Sequence, residues 1–182
     1  MSNDTIRIWR SSSSAFGSFQ RKADPWREET VTALDAYSDG ELKRIADSGF
    51  NAIWVHGNFN TMVRTAVFPE LGAAASLHQE RLNQLVARAA RHGLAVYVYC
   101  QPPRALPADD PFWAHHPEVA GQPEVLADDA GHPLELRSFC TSTAEVKRYL
   151  VEAGGKLARL VPGLGGVIMI TASEYPSHCW GR

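Results

Sequence analysis

Ser38-Asp39-Gly40-Glu41-Leu42-Lys43-Arg44-Ile45-Ala46-Asp47-Ser48-Gly49-Phe50-Asn51-Ala52-Ile53-Trp54-Val55-His56 decides the fold, because one run holds a helix, a stop and a buried strand. Ser38 carries the side-chain oxygen that a helix N-cap needs. Leu42, Ile45 and Ala46 form an apolar stripe, and Gly49 stands where a left-handed residue closes a helix. Ala52-Ile53-Trp54-Val55 is a short, continuous apolar run, which is how a strand covered on both faces reads.

The same grammar recurs on the C-terminal side. Gln79 to His92 carries Leu82, Leu85, Val86 and Ala89 on one face, Gly93 closes it, and Leu94 to Tyr99 is the next strand. Ser142-Thr143-Ala144-Glu145 fits the capping box, in which a hydroxyl and a carboxylate reciprocally satisfy free amides at a helix start. Val146, Tyr149, Leu150, Ala153 and Leu157 keep the helical period, Pro162-Gly163 ends it, and Gly166-Val167-Ile168-Met169-Ile170 follows as a strand. On the N-terminal side, Thr5-Ile6-Arg7-Ile8-Trp9 reads as the first strand of the series. Helices alternating with apolar strands predict a parallel sheet. Helix-to-strand connections are short, whereas the connections after the strands, Arg10 to Tyr37, Gly57 to His78 and Gln101 to Thr141, are long. Parallel-sheet enzymes keep their working loops on that C-terminal face.

No Gly-x-Gly-x-x-Gly or Walker-type loop follows any strand, so the sequence calls for no nucleotide cofactor. Polar residues cluster after each strand instead, which selects a barrel over an open sheet. The expected fold is therefore α/β, a partial (β/α)8 barrel of about four parallel strands with helices outside. An eight-stranded barrel takes about 250 residues, so residues 1–182 read as a single domain, the N-terminal half of such a barrel, ending after the fourth strand. The net charge of -2 gives no electrostatic case for nucleic acid or an anionic membrane. No apolar run approaches the roughly 18 residues of a membrane span, and Met1 to Gln20 lacks a signal-peptide core. Three widely spaced cysteines do not make a disulfide framework, and the cytoplasm is the expected compartment.

Glu174, in Ile170-Thr171-Ala172-Ser173-Glu174-Tyr175 after the fourth strand, is the sharpest candidate for chemistry. A carboxylic acid half desolvated at a barrel mouth can have its pKa raised enough to donate a proton near neutrality. The runs Gly49 to Gly57, Tyr97-Val98-Tyr99-Cys100-Gln101-Pro102-Pro103-Arg104-Ala105-Leu106-Pro107, Cys140-Thr141-Ser142-Thr143 and Thr171-Ala172-Ser173-Glu174 resemble the corresponding regions of bacterial barrel proteins related to glycoside hydrolases. They are similar to proteins grouped loosely with the family 20 hexosaminidases, and the likeness covers most of Ile6 to Trp180 as short patterns. The resemblance implies that Glu174 is the general acid of an O-glycosyl hydrolase. In that family an Asp before the acid orients the substrate's acetamido group. Ser173 stands there in this chain, which leaves the acid role intact and puts substrate-assisted catalysis on N-acetylated sugars in question. The wider barrel glycosidases place a nucleophile on a later strand, beyond Arg182.

His56 and Asn58 end the second strand, where they can bind sugar hydroxyls; a strand-ending histidine bonded to backbone is the alternative. Arg10 resembles the substrate-binding arginine that the hexosaminidases carry after the first strand. Tyr99, Gln101 and Arg104 follow the third strand, and Pro102-Pro103 stiffens the loop that carries Arg104. Trp113, Tyr175 and Trp180 lie in post-strand loops and are candidates to stack on a pyranose face, or simply to pack their loops. Cys100, Cys140, His178 and Cys179 map to the same face and have the ligand chemistry of a zinc site, although their spacing matches no short ligand motif. The reading without them needs a carbohydrate substrate and no cofactor. Two other classes remain open: a metal-dependent barrel isomerase, aldolase or lyase with His56, Glu174 and His178 as ligands, and a non-catalytic carbohydrate-binding barrel fragment. Four strands leave two sheet edges, which predicts self-association through them.

Overall fold

A computed structural model of the chain describes residues 5–10, 25–100, 102–127 and 131–169. Four strands, β1 (Ile8–Trp9), β2 (Ala52–Gly57), β3 (Ala95–Cys100) and β7 (Gly166–Met169), form one parallel sheet in the order β1-β2-β3-β7. The register runs Ile8↔Ala52↔Ala95 and Val55↔Val98↔Val167, so residues of one parity share one face. The chain-order sheet with a helix in every crossover is that of a partial (β/α)8 barrel.

The crossover helices are α2 (Asp39–Asp47), α4 (Ala75–Ala90) and α6 (Ala144–Leu160). For α2, the Ser38 hydroxyl accepts from the Glu41 amide at 3.2 Å, and Gly49 closes the helix at φ 86°. Helix α4 begins four residues before the expected Gln79, because Ala75 and His78 already face inward with Leu82, Leu85 and Ala89. Its N-cap, Ala74, has no side chain to announce a start. For α6 the cap lies one residue later than the capping box requires. Thr143 accepts from the Val146 amide at 3.4 Å, and Glu145 pairs with Arg148 at 3.5 Å within the first turn.

Two insertions in the long loops were not legible. Helix α1 (Glu29–Ala36) lies inside the first post-strand connection, burying Thr30, Val31, Ala33 and Leu34, and the four-residue α3 (Phe59–Met62) follows β2 directly. The third connection is no plain loop. It holds β4 (Leu106–Pro107), α5 (Phe112–His115), β5 (Ala120–Ala127) and β6 (Pro133–Phe139), whose strands form a second, antiparallel sheet in the order β4-β6-β5.

The core packs the sheet against the three crossover helices. Ile53, Val55, Val96, Val98 and Cys100 share one parity and a single cluster with Leu42 and Ile45 of α2, Leu82 and Leu85 of α4, and Val146 and Tyr149 of α6. Helices therefore cover one face, and Trp54, His56, Tyr97 and Tyr99 occupy the other. Val167 and Met169 share the helix-facing parity but are 39% and 54% exposed, so the helix layer thins at β7 among the described residues. A ring cluster of Phe68, Phe112, Trp113, Phe139 and Tyr149 joins the second sheet to α6 and to the loop before α4. No helix among the described residues is long and apolar enough to cross a membrane.

Gly72 sets the approach of that loop. It sits at φ 72°, its amide donates to the Asn60 carbonyl at 2.8 Å, and a Cβ there would strike the Val63 carbonyl. Gly72→Ala should therefore destabilise the protein by about 1–3 kcal/mol, read as a lower urea midpoint at an unchanged slope. An unmoved midpoint would show that the loop relaxes around the methyl group.

Candidate functional site

Parity brings the site together. Arg10, Trp54, His56 and Tyr99 belong to the face turned away from the helices, and all lie at or near the C-terminal ends of their strands. The Arg10 guanidinium stands 3.9 Å over the Trp54 ring, and Trp54 packs on Tyr99 with centroids 4.6 Å apart. Such a cation over an aromatic face is favourable by about 0.5–2 kcal/mol, and more as water is excluded. His56 is buried, its ring 5.9 Å from that of Tyr99.

The start of α1 closes over these strand ends with two carboxylates that sequence reasoning missed. Glu28 and Glu29 are each only 3% exposed. Glu29 Oε2 accepts the His56 backbone amide at 2.9 Å and lies 3.6 Å from Arg10 Nη2. The amide of Ala52 donates to the Arg7 carbonyl, so even-numbered amides of β2 point toward β1. Strand β1 stops at Trp9, and Glu29 accepts the amide that a longer β1 would have taken. Glycine is required where α1 and α3 meet β2: a Cβ on Gly57 would come within 2.6 Å of Met62 Sδ and 2.9 Å of Thr30 Cγ2.

Arg104 completes the cluster from the loop after β3. It is 5% exposed, with Nη1 3.4 Å from His56 Nε2. A guanidinium can only donate, so the Nε2 lone pair faces it and the ring proton belongs on Nδ1. Its carbonyl accepts from Asn60 Nδ2 at 2.7 Å, and Asn60 Oδ1 accepts from the Tyr149 hydroxyl at 3.1 Å. Glu28 accepts from the Thr61 hydroxyl at 3.2 Å. Burial pushes the Glu28 carboxyl above the ordinary carboxylate range, and the Thr61 hydroxyl and the Arg104 charge oppose that rise. Glu28 is thus a buried carboxyl whose proton is held more tightly than in water, with the Arg104 charge acting against that rise. Glu29, with its Oε2 2.9 Å from the His56 amide and 3.6 Å from Arg10, is the acceptor that fixes them.

Asn58 ends β2 on the same side, 1% exposed, and neither its amide nitrogen nor its oxygen has a hydrogen-bond partner among the described residues. An unsatisfied buried polar atom costs about 1–3 kcal/mol, which an apolar side chain would avoid. The site retains an unused donor and an unused acceptor on one planar group.

Arg10, His56, Tyr99 and Arg104 are therefore brought together, with Asn58 at the same end. Trp113 is not. It is 7% exposed, its indole N–H donates to the Pro107 carbonyl at 2.8 Å, and the rings of Phe112 and Phe139 pack against it, each with centroids 5.1 Å away, so it packs the second sheet rather than offering a platform. Cys100 has helix-facing parity, and burial pushes its thiol up to about 12, which keeps it protonated and poorly suited to metal. Cys140 is buried, and its carbonyl holds the start of α6 by accepting from the Thr143 hydroxyl. No group of three or more His, Cys, Asp or Glu side chains among the described residues is arranged to hold a metal ion. Gln101, Glu174, Tyr175, His178, Cys179 and Trp180 lie outside the described residues. The Glu28-Glu29 pair had one sequence signal, adjacent acids before the apolar Val31, Ala33 and Leu34, but nothing in that pattern announces burial.

No protein-family model matches the chain, and no curated protein does. Among solved structures it is similar to a noncanonic maltogenic alpha-amylase, AmyB, from Thermotoga neapolitana, with a TM-score of 0.54 and 17% identity over 94% of this chain. The chain spans 40% of that amylase. At this identity the likeness is one of fold, and it does not single out the family 20 hexosaminidases.

Two titrations follow from this packing, with opposite signs. His78 of α4 is fully buried, its Nδ1 2.6 Å from the Thr30 hydroxyl of α1, and burial lowers its pKa from 6.5 to about 4. A depressed histidine means the unfolded chain takes up the proton first. Stability is full above pH 6.5 and falls between pH 6.5 and 4, by about 3 kcal/mol at most. Urea midpoints measured across that window should fall in the parent and flatten in His78→Gln; equal slopes would contradict the assignment. Glu28 is raised, so the folded state binds its proton more tightly and stability falls as pH rises through its titration. Glu28→Gln should remove that loss and stabilise the protein at neutral pH, and a destabilised E28Q protein would show the carboxylate to be net favourable.

Proposed function

We propose that this chain belongs to a glycoside-cleaving barrel, in which the strand-end cluster grips an oligosaccharide or glycoside and Glu174 protonates the leaving glycosidic oxygen. The observation that supports it most is the gathering of Arg10, Trp54, His56, Tyr99 and Arg104 on the inner face at the strand ends. Guanidinium and amide groups suit the hydroxyls of a sugar, and an aromatic face suits the apolar side of its ring. Asn58, with a donor and an acceptor side by side, matches a vicinal diol, which offers the same pair in reverse.

Glycoside cleavage needs a proton for the leaving oxygen and a second carboxyl for the anomeric carbon. Glu174 is assigned the first role, on the resemblance of Thr171-Ala172-Ser173-Glu174 to the fourth-strand motif of barrel glycosidases. Ser173, in place of an Asp, favours substrates without a reacting acetamido group. Glu29 is neither group in this scheme. It holds Arg10 and the end of β2 in place.

Glu174→Gln should lower turnover of a panel of aryl glycosides by about 10²–10⁴-fold, the usual worth of a general acid, with KM little changed. Undiminished turnover would remove Glu174 from the mechanism. Saturable sugar binding without cleavage in the parent protein would instead favour a carbohydrate-binding barrel. The same reading extends to assembly. The sheet edges at β1 and β7, with Val167 and Met169 exposed beside the latter, are proposed to associate. Light scattering of the 182-residue chain should report a dimer or larger species, and a stable, monodisperse monomer would contradict this.

A further inference from the structure

We infer that the groove between the start of α4 and the last turns of α6 is an anion site that takes the phosphoryl or sulfate group of a small ligand. The groove encloses about 360 Å³ and shares no residue with the strand-end cluster. That volume lies at the lower end of small-molecule sites, about 300–1,000 Å³. Three separate segments supply its walls. Arg64 comes from the loop after α3, Ser76 and Gln79 from the first turns of α4, and Lys156 and Arg159 from α6.

Three cations line this groove on a chain whose net charge is -2. Their charge is poorly compensated. Glu152 is the one carboxylate paired here, with its Oε1 2.8 Å from Lys156 Nζ and also accepting the Ala66 amide at 2.9 Å. Arg64 and Arg159 make no ion pair among the described residues. Holding like charges together from two chain segments is unfavourable unless something occupies the space between them.

The chain also makes room for them. Lys156 Nζ donates to the Arg64 carbonyl at 3.0 Å, which ties the Arg64 loop to α6 and fixes the groove's width. Arg159 folds back along α6 over Gly155, where a Cβ would meet its Nη1 at 3.3 Å. Glycine inside a helix costs about 1 kcal/mol relative to alanine, and Gly155 leaves that surface open for the guanidinium. Two planar forks and an ammonium lining one groove suit a tetrahedral dianion, which can accept two bidentate contacts and a point charge at once. A monovalent carboxylate has one edge to offer and half the charge.

The test is a titration with inorganic phosphate, sulfate and acetate at ionic strength held constant with sodium chloride. It is followed by amide NMR shifts of Ser76 and Gln79 and by thermal midpoint. Phosphate and sulfate should give saturable shifts at these residues, with acetate at least tenfold weaker. In an Arg64→Gln, Arg159→Gln double variant, whose changed side chains are exposed and leave the Arg64 carbonyl in place, phosphate affinity should fall at least tenfold. Absence of any saturable response beyond chloride, equal binding by the variant, or preference for acetate would each overturn the assignment. The outcome is independent of the glycoside reading, because none of the residues tested lies in the strand-end cluster.

Discussion

The Glu29 carboxylate has 2% of its side chain exposed, and it keeps its place because two donors converge on one oxygen, the His56 amide at 2.9 Å and the Arg10 guanidinium at 3.6 Å. A carboxylate that far from water would otherwise carry a desolvation penalty of several kcal/mol. The arrangement joins three things a barrel mouth needs: the end of a two-residue first strand, the end of the second strand, and the helix inserted between them. Arg10 is then positioned over Trp54, and Trp54 over Tyr99. Without the acceptor, Arg10 loses a partner that helps hold it over that ring, and the His56 amide at the end of β2 loses its acceptor.

Charge alternates outward from that point. Glu29 faces Arg10, Arg104 faces Glu28 and the imidazole of His56, and Thr61 and Asn60 supply neutral contacts between them. Buried ion pairs of this kind are seldom a net source of stability, since well-packed apolar residues do as well. Their value is in fixing orientation. Around Asn58 the fold accepts an unsatisfied donor and acceptor, and around Glu28 a carboxyl pushed toward its neutral form. Such local costs concentrate where a ligand is handled. His78 is different. Its burial serves the α1–α4 contact through Thr30, and its pH dependence reports on the same inserted helix from the far side.

Much of the scaffold was legible because each βα unit repeats a local grammar. Ser38, Gly49 and the run Ala52 to Val55 behave as their chemistry dictates, and Gly93 closes α4 at φ 71°. The boundaries that slipped did so at Ala74, which cannot cap by side chain, and at Ser142-Thr143, where two adjacent hydroxyls compete for one cap. The insertions were hidden for other reasons. Helix α1 has only eight residues and starts from Glu28, which makes no capping bond. The second sheet contains Pro123 inside a strand and exposes Gln122 and Val125, so its alternation reads as loop. Arg10, His56, Tyr99 and Arg104 could be found from position at or just after the end of a strand. Glu28 and Glu29 could not, since their burial comes from residues distant in the chain. Trp113 was placed by loop membership alone, and the loop proved to be a packed sheet.

The most direct measurement of this arrangement is native-state hydrogen exchange of the His56 amide. The geometry predicts protection close to that of the core amides of β2, lost selectively in Glu29→Ala, which removes the acceptor, while Ile53 and Val55 stay protected. An exchange rate for His56 in the parent protein near that of an open loop, or unchanged protection in E29A, would contradict it, and the shared strand-end site would have no common anchor.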